Sequence, residues 1–107
     1  MADHVVALLG VGINLAHAPD ATRYPTTALA DHLSAPLTVE ELLECYLKAL
    51  SERYALWRSD GFAQIRDAWA IRSRWIGRMV SIENGDRKIL GRYDGIEADG
   101  SMIVSGE

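Results

Sequence analysis

The sequence predicts an α+β chain in which one buried strand and two helices are followed by the start of a small antiparallel barrel. Three observations predict this order. A short apolar run near the N-terminus ends in glycines, apolar residues then recur every three or four positions, and from Gly77 onward they recur every two. These patterns are typical of a strand buried on both faces, of amphipathic helices and of half-buried strands.

The first element is the apolar run Val5–Leu9, which Gly10 and Gly12 close. A run this short and apolar on both faces predicts a doubly buried strand, and such a strand needs neighbours. No other run in residues 1–75 resembles a partner strand. We therefore expect the partners of this strand to lie outside the chain.

Residues 16–37 contain all three prolines and predict an ordered loop with one helical turn at Thr27–His32. Thr38 and Glu41 then form the sequence pattern of a capping box. Apolar residues follow at helical spacing: Val39, Leu43, Tyr46, Leu50, Tyr54 and Trp57. The pattern predicts a helix over Thr38–Trp57 and, after Asp60-Gly61, a second helix over Gly61–Arg74.

The last third predicts a meander of three strands. Arg78–Glu83 and Lys88–Tyr93 alternate at period two around an Asn84-Gly85 turn, and Asp99-Gly100 is a second turn before Met102–Val104. Three such strands begin a small barrel but bury little by themselves. We expect an incomplete barrel and a chain that is open at both ends.

The composition is that of a packed domain. The chain is 49% hydrophobic and 24% charged, with 9 Gly and 3 Pro, which excludes a disordered tail or a collagen-like repeat. No apolar run approaches the roughly 20 residues of a membrane helix, and no secretory signal is visible. The single cysteine, Cys45, cannot form an internal disulfide, and we expect it to be a half-buried, inert thiol. The absence of a cysteine pair suits a cytoplasmic protein, and we expect no membrane partner.

Gly10, Gly12 and Asn14 are the candidate binding residues. Glycine lacks the Cβ that would keep a ligand away from the backbone, although Leu15 stands where a dinucleotide fingerprint has its third glycine. The carboxamide of Asn14 offers both a donor and an acceptor. It either pairs with the edge of an adenine-like ligand or caps the following loop.

The other polar residues predict no metal site and no catalytic residue. The three histidines lack zinc-type spacing: His4, His17 and His32. Turn chemistry accounts for three neighbouring carboxylates: Asp94, Glu97 and Asp99. Trp69 and Trp75 are interpreted as packing the second helix against the meander, with a ligand platform as the alternative.

The formal net charge of −4 argues against a large nucleic-acid surface. Arg72, Arg74 and Arg78 nevertheless form a local basic cluster, which is either the solvated end of a helix or a binding patch. The arginines near the meander motivate one alternative function, a non-catalytic small-barrel module that binds RNA or protein.

Taken in chain order, these elements resemble the C-terminal part of a bacterial biotin protein ligase. The resemblance depends on Gly10-Val11-Gly12-Ile13-Asn14-Leu15, on Pro25-Thr26-Thr27-Ala28-Leu29, and on Gly91-Arg92-Tyr93-Asp94-Gly95-Ile96 followed by Asp99-Gly100. It covers nearly the whole chain. It implies that residues 1–74 are the last part of a catalytic domain and that residues 75–107 are a truncated SH3-like domain.

The resemblance also implies an activity and its ligands. In that family biotin and ATP, with Mg²⁺, give biotinyl-adenylate, and a lysine of a carboxylase carrier domain then attacks it. Gly10 and Gly12 match positions that line the biotin pocket, and Ile13 and Asn14 match positions that contact adenine. A carrier domain is the implied partner, and a homodimer is left open. The Gly-Arg-rich loop and Lys-x-Pro-Asn motif that bind the phosphates in the family do not occur in these 107 residues.

Overall fold

The computed structural model describes residues 3–106. Its elements in chain order are a 3-10 helix (Leu29–His32), α1 (Val39–Asp60), α2 (Ala63–Arg72), β1 (Met79–Asn84), β2 (Arg87–Ile96) and β3 (Met102–Ser105). The chain divides into two compact units, one ending at Leu47 and the other starting at Lys48. The predicted pair of helices and the antiparallel sheet are confirmed.

The prediction that Val5–Leu9 forms a strand is wrong. Within residues 3–106 this run pairs with no strand, and Val5 and Leu8 are each 95% exposed. The apolar pattern is that of a buried strand, but a strand requires a neighbour to accept and donate its backbone hydrogen bonds. The described residues supply none.

In the first unit, the 3-10 helix lies within the helical turn that was predicted at Thr27–His32. The backbone N–H of Leu29 donates to the Asn14 carbonyl at 2.8 Å, and that of Ala30 donates to the Leu15 carbonyl at 2.8 Å. Ala28, directly before the helix, is 1% exposed. These bonds hold the end of the N-terminal segment against the start of the 3-10 helix.

The helix α1 begins at the predicted capping box. The Thr38 N–H donates to Glu41 Oε2 at 2.8 Å, and the Glu41 N–H donates to Thr38 Oγ1 at 3.2 Å. The helix runs three residues beyond the predicted end, to Asp60, where Gly61 adopts a φ of +82°. No residue of α1 is buried, so its apolar stripe is at most partly covered within residues 3–106.

The second unit is an antiparallel sheet in the order β1-β2-β3 with α2 against β2. The indole N–H of Trp69 donates to the Tyr93 hydroxyl at 3.3 Å, and Tyr93 is 4% exposed. This contact confirms the predicted packing role of Trp69. Among the described residues, Ala28 and Tyr93 are the only buried apolar ones.

The first hairpin turns one residue later than predicted. Asn84 pairs with Arg87 in the ladder, so the turn residues are Gly85 and Asp86 rather than Asn84 and Gly85. Gly85 adopts a φ of +60° at the first turn position, as in a type II′ turn, whereas the predicted Asn-Gly turn places glycine second.

The second turn, Asp99-Gly100, is confirmed. The Gly100 N–H donates to the Glu97 carbonyl at 3.0 Å, and the Ser101 N–H donates to Asp99 Oδ1 at 2.9 Å. Beyond this turn β3 adds to β2 with a register irregularity between Tyr93 and Gly95. The described sheet stays open, and closure into an SH3-like barrel stays a prediction.

The helices of residues 3–106 include none that is long and apolar enough to cross a membrane.

Candidate functional site

The four predicted binding residues lie on one irregular segment that leads to the 3-10 helix. Asn14 is the most firmly held of them. Its Nδ2 donates to the Thr27 carbonyl at 3.2 Å, while its own carbonyl accepts from the Leu29 N–H. Asn14 therefore caps the loop, which is one of the two roles predicted for it. Its Oδ1 accepts no hydrogen bond from residues 3–106, so pairing with an adenine edge stays a prediction.

Ile13 lies beside an open apolar groove in the first unit. The groove has a volume of about 360 Å³, within the range of small-molecule sites. Its lining comes from the N-terminal segment and the start of α1: Leu9, Val11, Ile13, Val39, Leu42, Leu43 and Tyr46. The residues Leu9, Val11 and Ile13 alternate at period two, which is the spacing of one face of an extended chain.

The contribution of α1 to this groove is a feature that the sequence analysis missed. Val39 and Leu43 were assigned only to a helical stripe, yet they are 66% and 52% exposed and face the groove. The adjacent apolar pair Leu42-Leu43 was the available signal, because it widens the apolar face at the start of the helix.

Gly10 and Gly12 have open space where a side chain would begin. A Cβ at either position would meet no atom within 4 Å, and neither glycine has a positive φ. Nothing in the described chain therefore requires glycine at these two positions. Their small size leaves the backbone of this segment accessible, which is what close approach of a ligand requires.

The loop Pro19–Thr26 surrounds a second open cavity, of about 410 Å³. Thr26 Oγ1 donates to the Pro19 carbonyl at 2.8 Å, and the Arg23 guanidinium lies 5.2 Å from the Tyr24 ring centroid. Ala21 adopts a φ of +53°, which is uncommon for a residue with a Cβ. The sequence predicted an ordered loop here but not the cavity.

Positive charge is scarce in the first unit. Arg23 is the only lysine or arginine between residues 1 and 47, and six carboxylates accompany it: Asp3, Asp20, Asp31, Glu40, Glu41 and Glu44. Charge on a phosphate ester is stabilised by positioned cations. One arginine in an acidic unit is a poor basis for binding a triphosphate.

Several other polar side chains take part in local hydrogen bonds. His32 Nε2 lies 2.8 Å from Thr27 Oγ1. The part of the chain that the structure describes contains no cluster suited to a metal ion. The hydrogen bond from Ser105 and the bond from Arg92, at 2.8 Å, hold the pKa of Asp94 below its ordinary value. Hydrogen bonds from Ser101 lower the pKa of Asp99. Cys45 is exposed, so its predicted half-burial is wrong, because nothing in residues 3–106 buries the side of α1 on which it lies.

Comparison with known proteins identifies relatives of the chain. No family model matches it. Over 103 residues it is 30% identical to the biotin–[acetyl-CoA-carboxylase] ligase of Paracoccus denitrificans, a match that spans 92% of this chain and 43% of that protein. This chain is a relative of the biotin protein ligases. The predicted resemblance to their C-terminal part is thereby confirmed.

The fold of the chain is similar to that of part of a biotin protein ligase. The crystal structure of biotin protein ligase from Aquifex aeolicus superposes with a TM-score of 0.72 at 21% identity, covering 86% of this chain and 41% of that one. The chain therefore spans less than half the length of the biotin ligases that it matches. The activity of the whole ligases is therefore a proposal for this chain.

Proposed function

We propose that this chain forms part of a biotin protein ligase, which activates biotin with ATP and transfers it to a lysine of a carboxylase carrier domain. The observation that carries the proposal is the 30% identity to a biotin–[acetyl-CoA-carboxylase] ligase across 92% of the chain. These relatives do not support the alternative function, a small-barrel module that binds RNA or protein. We place the ligase in the cytoplasm.

The proposed contribution of the first unit is one wall of the biotin and adenine sites. Gly10 and Gly12 leave their backbone open to biotin, and the apolar groove beside Ile13 suits the uncharged part of a ligand. The amide oxygen of Asn14 is available to accept a hydrogen bond from an adenine amino group. These roles follow the family pattern residue by residue.

The proposed reaction has two steps. A carboxylate oxygen of biotin attacks the α-phosphorus of ATP, a P–O bond forms, and pyrophosphate leaves. The lysine amine of the carrier then attacks the acyl carbon, loses a proton, and AMP leaves with the electron pair of the broken C–O bond. Mg²⁺ would neutralise phosphate charge, but the residues that the structure describes offer no cluster to hold it.

The positive charge for the first step is proposed to come from residues outside this chain. The first unit has Arg23 alone, and neither the Gly-Arg-rich loop nor the Lys-x-Pro-Asn motif occurs in the sequence. We infer that residues 1–74 complete a catalytic domain whose other residues provide these cations. Within that domain Val5–Leu9 would gain its strand partners. Residues 75–107 would form an SH3-like domain that helps to dock the carrier.

A chimera tests the proposal. In the Paracoccus denitrificans ligase, the stretch that matches this chain is replaced by this chain, and binding of a non-hydrolysable biotinyl-adenylate analogue is measured by calorimetry. We expect binding, and we expect Gly12→Val to weaken it at least tenfold because the side chain would occupy the space of the ligand.

Gly106→Val is the matched control, because Gly106 also has open space around its Cβ position and no positive φ. This variant is expected to bind the analogue normally. A folded chimera with a cooperative melting transition and no affinity for the analogue contradicts the proposal. So does an equal loss of affinity in the two variants.

A further inference from the structure

An exposed cluster of tryptophan and arginine lies in the second unit, where α2 ends and the chain turns into β1. We call it the Trp–Arg cluster, and it consists of Trp69, Arg72, Arg74, Trp75 and Arg78. Trp69 and Trp75 are 55% and 53% exposed. Half-exposed aromatic rings beside positive charge offer a partner both apolar surface and ion-pairing groups.

The side chains of the cluster form a recess. The guanidinium carbons of Arg74 and Arg78 lie 5.5 Å and 5.9 Å from the centroid of the Trp75 ring. Trp69, Arg72, Ser73, Arg74 and Trp75 line an open cavity of about 260 Å³. The recess thus combines apolar ring surface with the positive charges of Arg72 and Arg74, and Arg78 adds a third charge over the Trp75 ring beside it.

These charges have no ion-pair partner within the described chain. Among residues 3–106 the single ion pair joins Arg92 to Asp94, and no carboxylate lies within 4.0 Å of an arginine of the cluster. Arg72 donates from Nη1 to the Ala68 carbonyl at 3.0 Å, which caps α2. The solvated helix end therefore accounts for Arg72 but not for Arg74, Arg78 and the exposed rings.

The backbone beneath the cluster is fixed to the sheet. The Gly77 N–H donates to the Tyr93 carbonyl at 2.7 Å, and the Tyr93 N–H donates to the Arg78 carbonyl at 2.9 Å. The Arg78 N–H closes the turn by donating to the Trp75 carbonyl at 3.0 Å. Side chains on such an anchored turn lose less conformational entropy when a partner binds.

The geometry points to a docking surface for an acidic peptide segment of a protein partner, with an apolar side chain of that segment entering the recess. Guanidinium groups bind carboxylates in a bidentate manner, and tryptophan and arginine are the residues most enriched at the energetic centres of protein interfaces. A nucleic acid is disfavoured because the chain carries a net charge of −4 and the cluster has only three cations. This inference does not depend on the ligase activity.

A binding experiment with the full chain tests the inference. The probe is a short synthetic peptide in which pairs of glutamate alternate with single leucines, and binding is followed by tryptophan fluorescence at low salt. We expect saturable binding that weakens by about tenfold or more in the Arg74→Gln/Arg78→Gln variant, because hydrogen bonds to two charged groups are lost.

The matched control is Arg53→Gln/Arg58→Gln, which removes the same charge from α1. The Arg58 guanidinium also lies over an aromatic ring, 5.9 Å from the Tyr54 centroid. This control is expected to bind the peptide within twofold of the parent chain. The inference is overturned if the peptide does not bind, if both double variants weaken binding equally, or if a single-stranded RNA oligonucleotide binds while the peptide does not.

Discussion

At the scale of the residue, Asn14 has two hydrogen-bonding roles that one side chain can fill together. Its Nδ2 donates to the Thr27 carbonyl at 3.2 Å, while its Oδ1 is left without a partner among residues 3–106. The first role stabilises the loop and the second is available to a ligand. Capping the loop and pairing with a ligand were predicted as alternatives, whereas the geometry allows both.

The substitution Asn14→Ala in the chimera separates the two roles. We expect it to weaken binding of the adenylate analogue by about 1–3 kcal/mol, because a polar group of the ligand loses its partner. Asn84→Ala, in the first hairpin, is the control and is expected to leave affinity unchanged. A lower melting temperature with unchanged affinity would restrict Asn14 to capping the loop.

Gly91 is the residue whose lack of a side chain matters most to the sheet. A Cβ there would overlap the Val104 side chain and would lie 2.7 Å from the Ser105 carbonyl oxygen. We expect Gly91→Ala to lower the free energy of urea unfolding of the chimera by about 1–3 kcal/mol, as overpacking does. Gly106→Ala is the control, and an equally stable Gly91→Ala variant would contradict the β2–β3 packing described here.

At the scale of the element, the start of α1 depends on an ionised carboxylate. The hydrogen bonds from the Thr38 backbone and hydroxyl lower the pKa of Glu41 from its ordinary value of 4.5. A group with a lowered folded-state pKa stabilises the fold above its unfolded pKa, and this stability is lost as the pH falls through the folded value. The helix should therefore weaken in acid.

We expect the helical circular dichroism of the chain to decrease as the pH falls below about 4.5, in the window where Glu41 becomes protonated. In Glu41→Gln the decrease should be smaller, because glutamine keeps an acceptor for the Thr38 N–H without titrating. Glu44→Gln, also on α1 but outside the capping box, is the control and should show the same loss of helical signal in acid as the parent chain. Identical profiles in the parent and Glu41→Gln would refute the assigned role.

The elements also show what sequence reasoning can reach. Capping residues, helical spacing and turn glycines act locally, so both helices, the 3-10 turn and the three-stranded meander could be predicted from them. The hairpin was displaced by one residue because Asn84 can join the ladder as well as the turn. The prediction of a Val5–Leu9 strand was wrong, because pairing depends on distant neighbours that a local pattern does not contain.

The candidate site was predictable only in part, for the same reason. The glycines and Asn14 were visible as motifs, while the groove depends on how the N-terminal segment packs beside the start of α1. The Trp–Arg cluster was visible as charge, but its recess and its lack of ion-pair partners depend on tertiary geometry.

At the scale of the whole molecule, each unit leaves much apolar surface exposed. Apolar side chains from Val5 to Ile13 in the first unit and along β1 and β2 in the second are exposed, including Leu9 at 70% and Leu90 at 65%. Exposed apolar patches of this kind mark interaction surfaces or lead to association. They are consistent with a chain whose apolar faces pack against further protein.

The isolated chain is therefore expected to self-associate. In sedimentation velocity we expect species larger than the 11.8 kDa monomer, increasing with concentration, whereas the chimera should sediment as one species. Val5→Ser/Leu8→Ser should reduce the association, because both side chains are 95% exposed in the monomer. A stable monomer at all concentrations would contradict this expectation.

We propose that this chain supplies one wall of a biotin ligase site, while cations outside it supply the phosphate chemistry. Biotin transfer tests it most directly: the chain alone and the chimera are each incubated with ATP, Mg²⁺, labelled biotin and a carrier domain. We expect label on the carrier lysine with the chimera and none above a no-protein control with the chain alone. Label transferred by the chain alone, or none transferred by a folded chimera, would contradict it.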